Sequence, residues 1–180
     1  MNQETLNALK SAINEALTNI PHAPFLCLPL SAILYALLKD QHGIESSLVT
    51  GSLSFKDMSI FKPDFSISGT NNTSLQIWAG HAWVELDGFI IDLSLFRTIY
   101  SDSFTKPCKN ELISKFGLGR GAIIASRQTM KDDGLLYAPA ETLTDDDATG
   151  IIKGTQQLLL SRGTGKTAVP NESEPTVSQS

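Results

Sequence analysis

The sequence predicts an α+β fold, and this expectation depends on one β-hairpin and two helices. Residues 80–94 are rich in strand-forming side chains around Asp87-Gly88, a dipeptide that favours the two-residue turn of a hairpin. Apolar residues repeat at helical spacing in two segments, one over about residues 4–20 and one that begins near Cys27. Helices combined with antiparallel strands indicate the α+β class.

The hairpin turn sets the register of its two strands. With that dipeptide as the turn, Leu86 lies opposite Phe89, and one face of the hairpin is entirely apolar. The other face carries His81, Trp83, Glu85, Ile90, Asp92 and Ser94. On this face His81 and Asp92 are diagonal neighbours, about 7–8 Å apart at the backbone and within reach through their side chains. A histidine held by an aspartate is one half of a nucleophilic site.

The other half of such a site is a nucleophile, and Cys27 is the candidate. It lies at or just before the first turn of a helix whose apolar residues are Leu30, Ile33, Leu34, Leu37 and Leu38. Unpaired N–H groups and the dipole at a helix N-terminus favour a thiolate and can bind an oxyanion. Taken alone, Cys27 could equally be a buried, small hydrophobic residue. The combination with His81 and Asp92 favours the nucleophilic site.

The order of these residues resembles a family of thiol enzymes. Cys27, the segment His-Ala-Trp-Val-Glu at 81–85 and the segment Ile-Asp-Leu at 91–93 follow one another as in the transglutaminase-like branch of the papain-like superfamily. The resemblance covers residues 24–96, and small bacterial members, including the leader peptidases of lasso-peptide pathways, are the subgroup that fits best. It implies an α+β fold of the papain-like/transglutaminase-like type, in which a central Cys-bearing helix packs on an antiparallel β-sheet.

The resemblance also implies roles for particular residues. Cys27 would be the nucleophile, His81 the general base and acid, and Asp92 the group that orients His81. Trp83 would shield the histidine–aspartate pair or serve simply as a packed aromatic residue. Papain-like enzymes often place a glutamine shortly before the cysteine as an oxyanion donor, and the candidates in that region are Asn19 and His22, neither of which matches. The backbone N–H of Cys27 is the alternative donor.

By this resemblance the protein is a cysteine-dependent acyl-transfer enzyme that acts on a protein or peptide amide and needs no metal or other cofactor. Whether water or a second amine accepts the acyl group decides between a peptidase, a glutamine deamidase and a transglutaminase. One alternative is acetyl transfer from coenzyme A, as in arylamine N-acetyltransferases, which share the Cys-His-Asp order in longer chains. Others are a catalytically inactive fold that serves as a binding module, and a structural domain in which the three residues never meet.

Composition predicts a soluble globular protein. The chain has 180 residues, of which 41% are hydrophobic and 18% charged, and this length suffices for a sizeable core. We expect a single catalytic domain over residues 1–162 and a disordered tail over residues 163–180, which are small, polar and nearly devoid of apolar side chains. The sequence leaves the oligomeric state open.

Charge and hydropathy exclude several classes of partner. The net charge of -5 argues against nucleic-acid binding, because phosphate neutralisation needs a basic surface. The longest apolar run, near residues 32–38, is too short to span a bilayer, so no membrane partner is expected. The N-terminus lacks the basic segment of a signal peptide, which predicts a cytoplasmic protein, with signal-independent export as the alternative. Cys27 and Cys108 stand at a spacing that predicts neither a disulfide framework nor a metal site.

The remaining elements are predicted from periodicity and turn residues. We expect a strand over 46–55, a long surface loop over 56–74, a strand that begins at 75–79 and leads into the hairpin, short helices over 95–100 and 109–116, a strand over 122–126 and a helix over 145–160. Cys108, in a polar context, is expected to be a surface or half-buried thiol.

Overall fold

The structure of the protein, a computed structural model, describes residues 1–63, 65–68 and 78–163. Its helices are α1 (Gln3–Asn19), α2 (Cys27–His42), α3 (Leu95–Ile99), α4 (Lys109–Phe116), α5 (Arg127–Asp132) and α6 (Asp145–Gly163). Its strands are β1 (Ser47–Phe55), β2 (Met58–Phe61), β3 (His81–Leu86), β4 (Phe89–Asp92), β5 (Ile123–Ser126) and β6 (Leu135–Thr142). The α+β class predicted from the sequence is confirmed. The predicted tail lies outside the described residues, apart from Gly163, which ends α6.

Local chemistry explains where the first two helices begin and end. The side chain of Asn2 accepts a hydrogen bond of 2.8 Å from the backbone N–H of Thr5, which caps α1. Helix α2 begins at Cys27 and ends before Gly43, whose left-handed φ of 61° lets its N–H reach the carbonyl of Lys39 at 3.1 Å. Both helices therefore occupy the segments that the apolar periodicity predicts.

The sheet is antiparallel in every strand pair among the described residues, and its order is β2-β1-β3-β4-β5, with β6 added to β1. Strand β1 has three neighbours. Residues 47–51 pair with β3 and residues 53–55 pair with β2, whereas residues 49–55 pair with β6 along the opposite edge. The sheet is therefore widest around the middle of β1, next to the start of β3.

The β3–β4 hairpin has the predicted register. Leu86 pairs with Phe89, and the turn residues Asp87 and Gly88 take φ values of 50° and 78°. Positive φ at both positions is what a type I′ turn requires, and the Asp-Gly dipeptide tolerates it. The register places His81 at the start of β3 and Asp92 at the end of β4.

Helices cover both faces of the sheet. On one face, α1 and α2 pack against the apolar side of the hairpin, which contributes Val84, Leu86, Ile91 and Leu93 to that core. On the other face, side chains from α3, α4 and α5 pack against the hairpin residues Trp83 and Ile90. On the face that carries His81 and Asp92, these two residues, Trp83 and Ile90 are therefore buried, whereas Glu85 is half-buried.

The structure contains elements that the sequence does not predict. Strand β2 lies in the segment expected to be a loop. The sequence does not predict it because the turn before it, Lys56-Asp57, contains no glycine, although Lys56 takes a positive φ of 52°. Helix α5 and strand β6 lie where no element is expected, and β6 contains Pro139, which is tolerated at a sheet edge. Cys108 is 1% exposed, so the expectation of a surface thiol is wrong.

Two further expectations concern the strand predicted to begin at 75–79 and the predicted lack of a membrane-spanning segment. Residues 64 and 69–77, which include most of the expected start of the strand before His81, are not described; β3 itself begins at His81. Within the described ranges, no helix combines the length and the apolar character that crossing a membrane requires.

Candidate active site

Helix α2 and the hairpin bring the predicted nucleophile and its partners to one place. Cys27 is the first residue of α2, and its thiol lies 3.9 Å from the carbonyl oxygen of Gly80, next to the start of β3. The hydroxyl of Ser31, one turn further along α2, donates a hydrogen bond of 3.0 Å to the carbonyl of Ala82. These contacts attach the N-terminal end of α2 to the beginning of the strand that carries His81.

The side chains of His81 and Asp92 form a buried pair. Nε2 of His81 donates to Oδ2 of Asp92 at 2.6 Å, and both side chains are inaccessible to solvent. The hairpin register explains this contact, because the two residues are diagonal neighbours on the same face of adjacent strands. The association that the sequence predicts between these two residues is therefore present.

Further donors satisfy the carboxylate of Asp92. Its Oδ1 accepts hydrogen bonds from the N–H and hydroxyl of Ser94 at 2.9 and 3.0 Å, and from the N–H of Leu95 at 3.1 Å. Its Oδ2 also accepts a hydrogen bond of 2.8 Å from the hydroxyl of Tyr137. A buried carboxylate is costly unless such bonds compensate for lost water. Burial raises the pKa of Asp92, but the charge of His81 and the hydrogen bonds from His81, from the N–H of Ser94 and from Tyr137 outweigh burial and lower it.

The environment of His81 favours its charged form. Burial lowers the pKa of His81, but the charge of Asp92 and the hydrogen bond to it raise the pKa above its ordinary value, and the nearby Cys27 thiol raises it further. The Nδ1 atom of His81 is buried and makes no hydrogen bond of ordinary geometry to a described residue. Because Asp92 occupies Nε2, Nδ1 is the nitrogen that remains available to the thiol of Cys27.

Aromatic rings hold the imidazole in place. The ring of Phe61 stacks on His81, with 4.6 Å between centroids and 6° between the planes. The rings of Tyr137 and Trp83 lie 6.0 and 6.2 Å from the imidazole, and Trp83 meets Tyr137 edge to face at 5.2 Å. Phe61 and Tyr137 are absent from the sequence prediction, since they lie on β2 and β6, the two unpredicted strands.

Not all of the predicted site residues lie at this site. Trp83 is fully buried beside His81, where its Nε1 donates to Glu85 at 2.8 Å, so it can shield the pair as well as pack. His22 is exposed in the segment before α2. Asn19 lies at the end of α1 and lines a different cavity, between α1, α2 and α6. Neither His22 nor Asn19 lines the groove at Cys27. Of the three oxyanion donors that the sequence offers, only the backbone N–H of Cys27 therefore lies at this groove.

A groove of about 330 Å³ leads to Cys27. This volume is near the lower end of the range for ligand pockets, about 300–1,000 Å³. Residues from four segments line it: Phe25 and Cys27; Ser59, Ile60, Phe61 and Lys62; Trp78, Ala79 and Gly80; and Ser103, Phe104, Thr105 and Lys106. Cys27 is buried, with 7% of the residue exposed, and it is part of the groove lining.

Among the described residues, no group of three or more histidine, cysteine, aspartate or glutamate side chains could hold a metal ion. Both cysteines are free, and burial raises the pKa of Cys108, which leaves Cys27 as the thiol beside an acid–base pair. Comparison with family models, with curated proteins and with solved structures returned no match.

Proposed function

We propose that the protein is a cysteine-dependent acyl-transfer enzyme with the triad Cys27, His81 and Asp92. The observation that carries this proposal is the buried pair of His81 and Asp92 at 2.6 Å, in which Nδ1 of His81 has no hydrogen-bond partner among the described residues and the thiol of Cys27, at the first residue of a helix, is close enough to raise the pKa of the imidazole. The arrangement meets the requirement for an activated nucleophile, an acid–base group and a third group that orients it. A papain-like/transglutaminase-like fold is part of the proposal.

The proposed reaction proceeds in two halves. The thiolate of Cys27 attacks an amide carbonyl, the C–N bond breaks, and Nδ1 of His81 gives its proton to the leaving amine. Water or a second amine then attacks the thioester while the neutral imidazole accepts its proton, and breakage of the C–S bond restores the thiolate. The N–H of Cys27, which has no intrahelical partner at this position, donates to the oxyanion. Asp92 holds the imidazolium throughout.

The substrate in this proposal is a protein or peptide, and the reaction is peptide cleavage, glutamine deamidation or transamidation. A cytoplasmic location fits the two free cysteines, because thiols stay reduced in that compartment. Screening of peptide and glutamine substrates with wild type and Cys27→Ala separates the three reactions by their products. Full turnover by Cys27→Ala would overturn the proposal.

The first test is the pH dependence of alkylation of Cys27 by iodoacetamide, measured by peptide mass in wild type and in His81→Ala. We expect a fast reaction at pH 6 that is lost in the variant, because a thiolate–imidazolium pair needs the histidine. A slow reaction that rises only above about pH 8, as for an ordinary thiol, and is unchanged in the variant would contradict the triad. Cys108, which is buried, serves as the internal control in the same spectra.

A further inference from the structure

The groove at Cys27 has a charge opposite to that of the chain. The protein carries 19 acidic and 14 basic residues, a net charge of -5. Yet Lys62 and Lys106 are among the described residues that line the groove, and no aspartate or glutamate is among them. The surroundings of the thiol are therefore basic on a protein that is acidic overall.

These two lysines differ from three others on the surface, which are paired with carboxylates. Lys39, Lys56 and Lys115 form ion pairs with Asp145, Glu111 and Asp133 respectively. Lys62 and Lys106 are exposed, and neither forms an ion pair with a residue in the described part of the chain. Their charges are available to a ligand in the groove.

The groove is also lined by aromatic side chains, and one of them, Phe25, has an unusual backbone conformation. Phe25 takes a left-handed φ of 59°, which is rare for a bulky side chain, and the residue is 51% exposed. The hydroxyl of Thr98 accepts a hydrogen bond of 3.0 Å from the N–H of Phe25, and the ring meets Phe61 edge to face at 6.5 Å. Backbone strain that presents an exposed aromatic ring two residues before Cys27 is typical of a ligand-contacting position.

We propose, building on the proposed acyl-transfer function, that this groove selects acidic peptide segments. An apolar side chain of the substrate packs against Phe25, Phe61 and Trp78, and a neighbouring aspartate or glutamate meets Lys62 and Lys106. Charge complementarity at the groove and the apolar contacts then orient the reacting amide towards the thiol. The substrate class is a peptide with an apolar residue beside a carboxylate.

The charge of the groove can be tested without any turnover. The probes are iodoacetate and iodoacetamide, which alkylate the same thiol but differ in charge. At Cys27 we measure the rate of alkylation by iodoacetate divided by the rate by iodoacetamide. This ratio is then divided by the same ratio for a free peptide thiol. Reversal of both lysines in Lys62→Glu/Lys106→Glu should lower this ratio by about threefold or more at 0.1 M salt, and by more at lower salt. An unchanged ratio overturns the inference.

A matched double variant controls for net charge. Lys10→Glu/Lys131→Glu makes the same change of charge at two exposed lysines that do not line the groove. We expect the ratio of this variant to stay at the wild-type value. An equal decrease in both double variants would mean that total charge sets the rate, and would overturn the inference.

The peptide specificity is tested with paired peptide amides that contain Phe-Asp or Phe-Asn beside the reacting bond. We expect a higher kcat/KM for the aspartate peptides, and loss of this preference in Lys62→Glu/Lys106→Glu but not in the control. Equal kcat/KM values for the two peptides would overturn the acidic specificity. If the enzyme turns over none of the peptides but Cys27 still shows the lysine-dependent preference for iodoacetate, the acyl-transfer function is contradicted. The positive charge of the groove is supported by the same result.

A coenzyme is the competing source of negative charge. Labelled acetyl-coenzyme A is therefore incubated with wild type and with Lys62→Glu/Lys106→Glu. If Cys27 is acetylated in wild type but not in the lysine variant, Lys62 and Lys106 bind the phosphates of a coenzyme. This result would overturn the peptide assignment. No label on Cys27 supports the peptide.

Discussion

The hydroxyl of Tyr137 donates a hydrogen bond to the same carboxylate oxygen of Asp92 that accepts from His81, at 2.8 and 2.6 Å respectively. Tyr137 lies on β6 and Asp92 on β4, with β1 and β3 between them. In a flat sheet these strands would be about 14 Å apart, three spacings of about 4.8 Å, which is too far for the two side chains to meet. The sheet therefore curls, and its concave face encloses the candidate site.

Removal of the Tyr137 hydroxyl should cost stability. In Tyr137→Phe the buried carboxylate of Asp92 loses one donor, and we expect the free energy of unfolding to fall by about 1.5–3 kcal/mol, as for hydrogen bonds to charged groups. Urea denaturation measures this. The control is Tyr100→Phe, because the hydroxyl of Tyr100 donates to the carbonyl of Gly117 at an exposed site. Equal losses in the two variants would contradict a special role for Tyr137.

In Cys27→Ala, where no thiolate can form to offset the proton on His81, stability should fall as the pH rises above neutrality. The pKa of His81 is raised from 6.5 in the folded protein, so its contribution is complete below pH 6.5 and is lost as pH rises towards the folded value. The slope of the free energy of unfolding approaches about 1.4 kcal/mol per pH unit for one proton. The pKa of Asp92 is lowered from 3.8, so its contribution is present above that pH and is lost below it.

Urea titrations of Cys27→Ala between pH 5 and 9 test this dependence. Adding His81→Gln keeps a hydrogen-bonding side chain beside Asp92 but removes the titrating imidazole, and we expect a flatter slope above pH 6.5 than in Cys27→Ala alone. Adding Asp92→Asn removes the charge that raises the pKa of His81, and should flatten the slope in the same way. An unchanged slope in both double variants would show that other groups cause the pH dependence.

Gly80 is expected to tolerate no side chain. A Cβ at this position would overlap the indole of Trp78, whose Nε1 donates to the carbonyl of Phe65 at 3.1 Å. Gly80→Ala should therefore destabilise the protein by about 1–3 kcal/mol and slow the alkylation of Cys27, because the carbonyl of Gly80 contacts the thiol. Gly121→Ala is the matched control, since nothing lies within 4 Å of a Cβ there. Similar behaviour of the two variants would refute this account.

Substitutions at Phe25 should affect stability and activity differently. Phe25→Gly relieves the left-handed strain, so we expect stability equal to or higher than that of wild type, together with a lower kcat/KM for peptide substrates. Phe25→Ala loses the ring but keeps the strain, so it should match the glycine variant in activity and be less stable. Thermal unfolding and steady-state kinetics provide the two measurements. An active Phe25→Gly would show that the ring does not contact substrate.

Much of the site could be predicted because its signals are local. The Asp87-Gly88 turn and the alternation around it specify the hairpin register, and this register places His81 next to Asp92. The apolar repeat and the proline-rich segment before it place Cys27 at the start of a helix. Each of these inferences depends on residues fewer than about twenty positions apart, where the periods of helix and strand apply.

The partners of the pair could not be predicted in this way. Phe61 lies on a strand whose turn lacks glycine, and Tyr137 on an edge strand that contains a proline and two alanines, so neither segment has a strong strand pattern. Asn19 and His22 show the converse, since proximity to Cys27 in the sequence did not bring them to the groove. Proximity along the chain and proximity in the fold differ here.

By itself, the sequence determined the class of fold, the hairpin register and the elements on which Cys27, His81 and Asp92 lie, because backbone periodicity and turn chemistry are local properties. Only the tertiary structure decided how the sheet curls, which side chains close around His81, and which residues line the groove at the thiol. These features depend on packing between strands and helices that are distant in the chain, and the period of a single element carries no information about them.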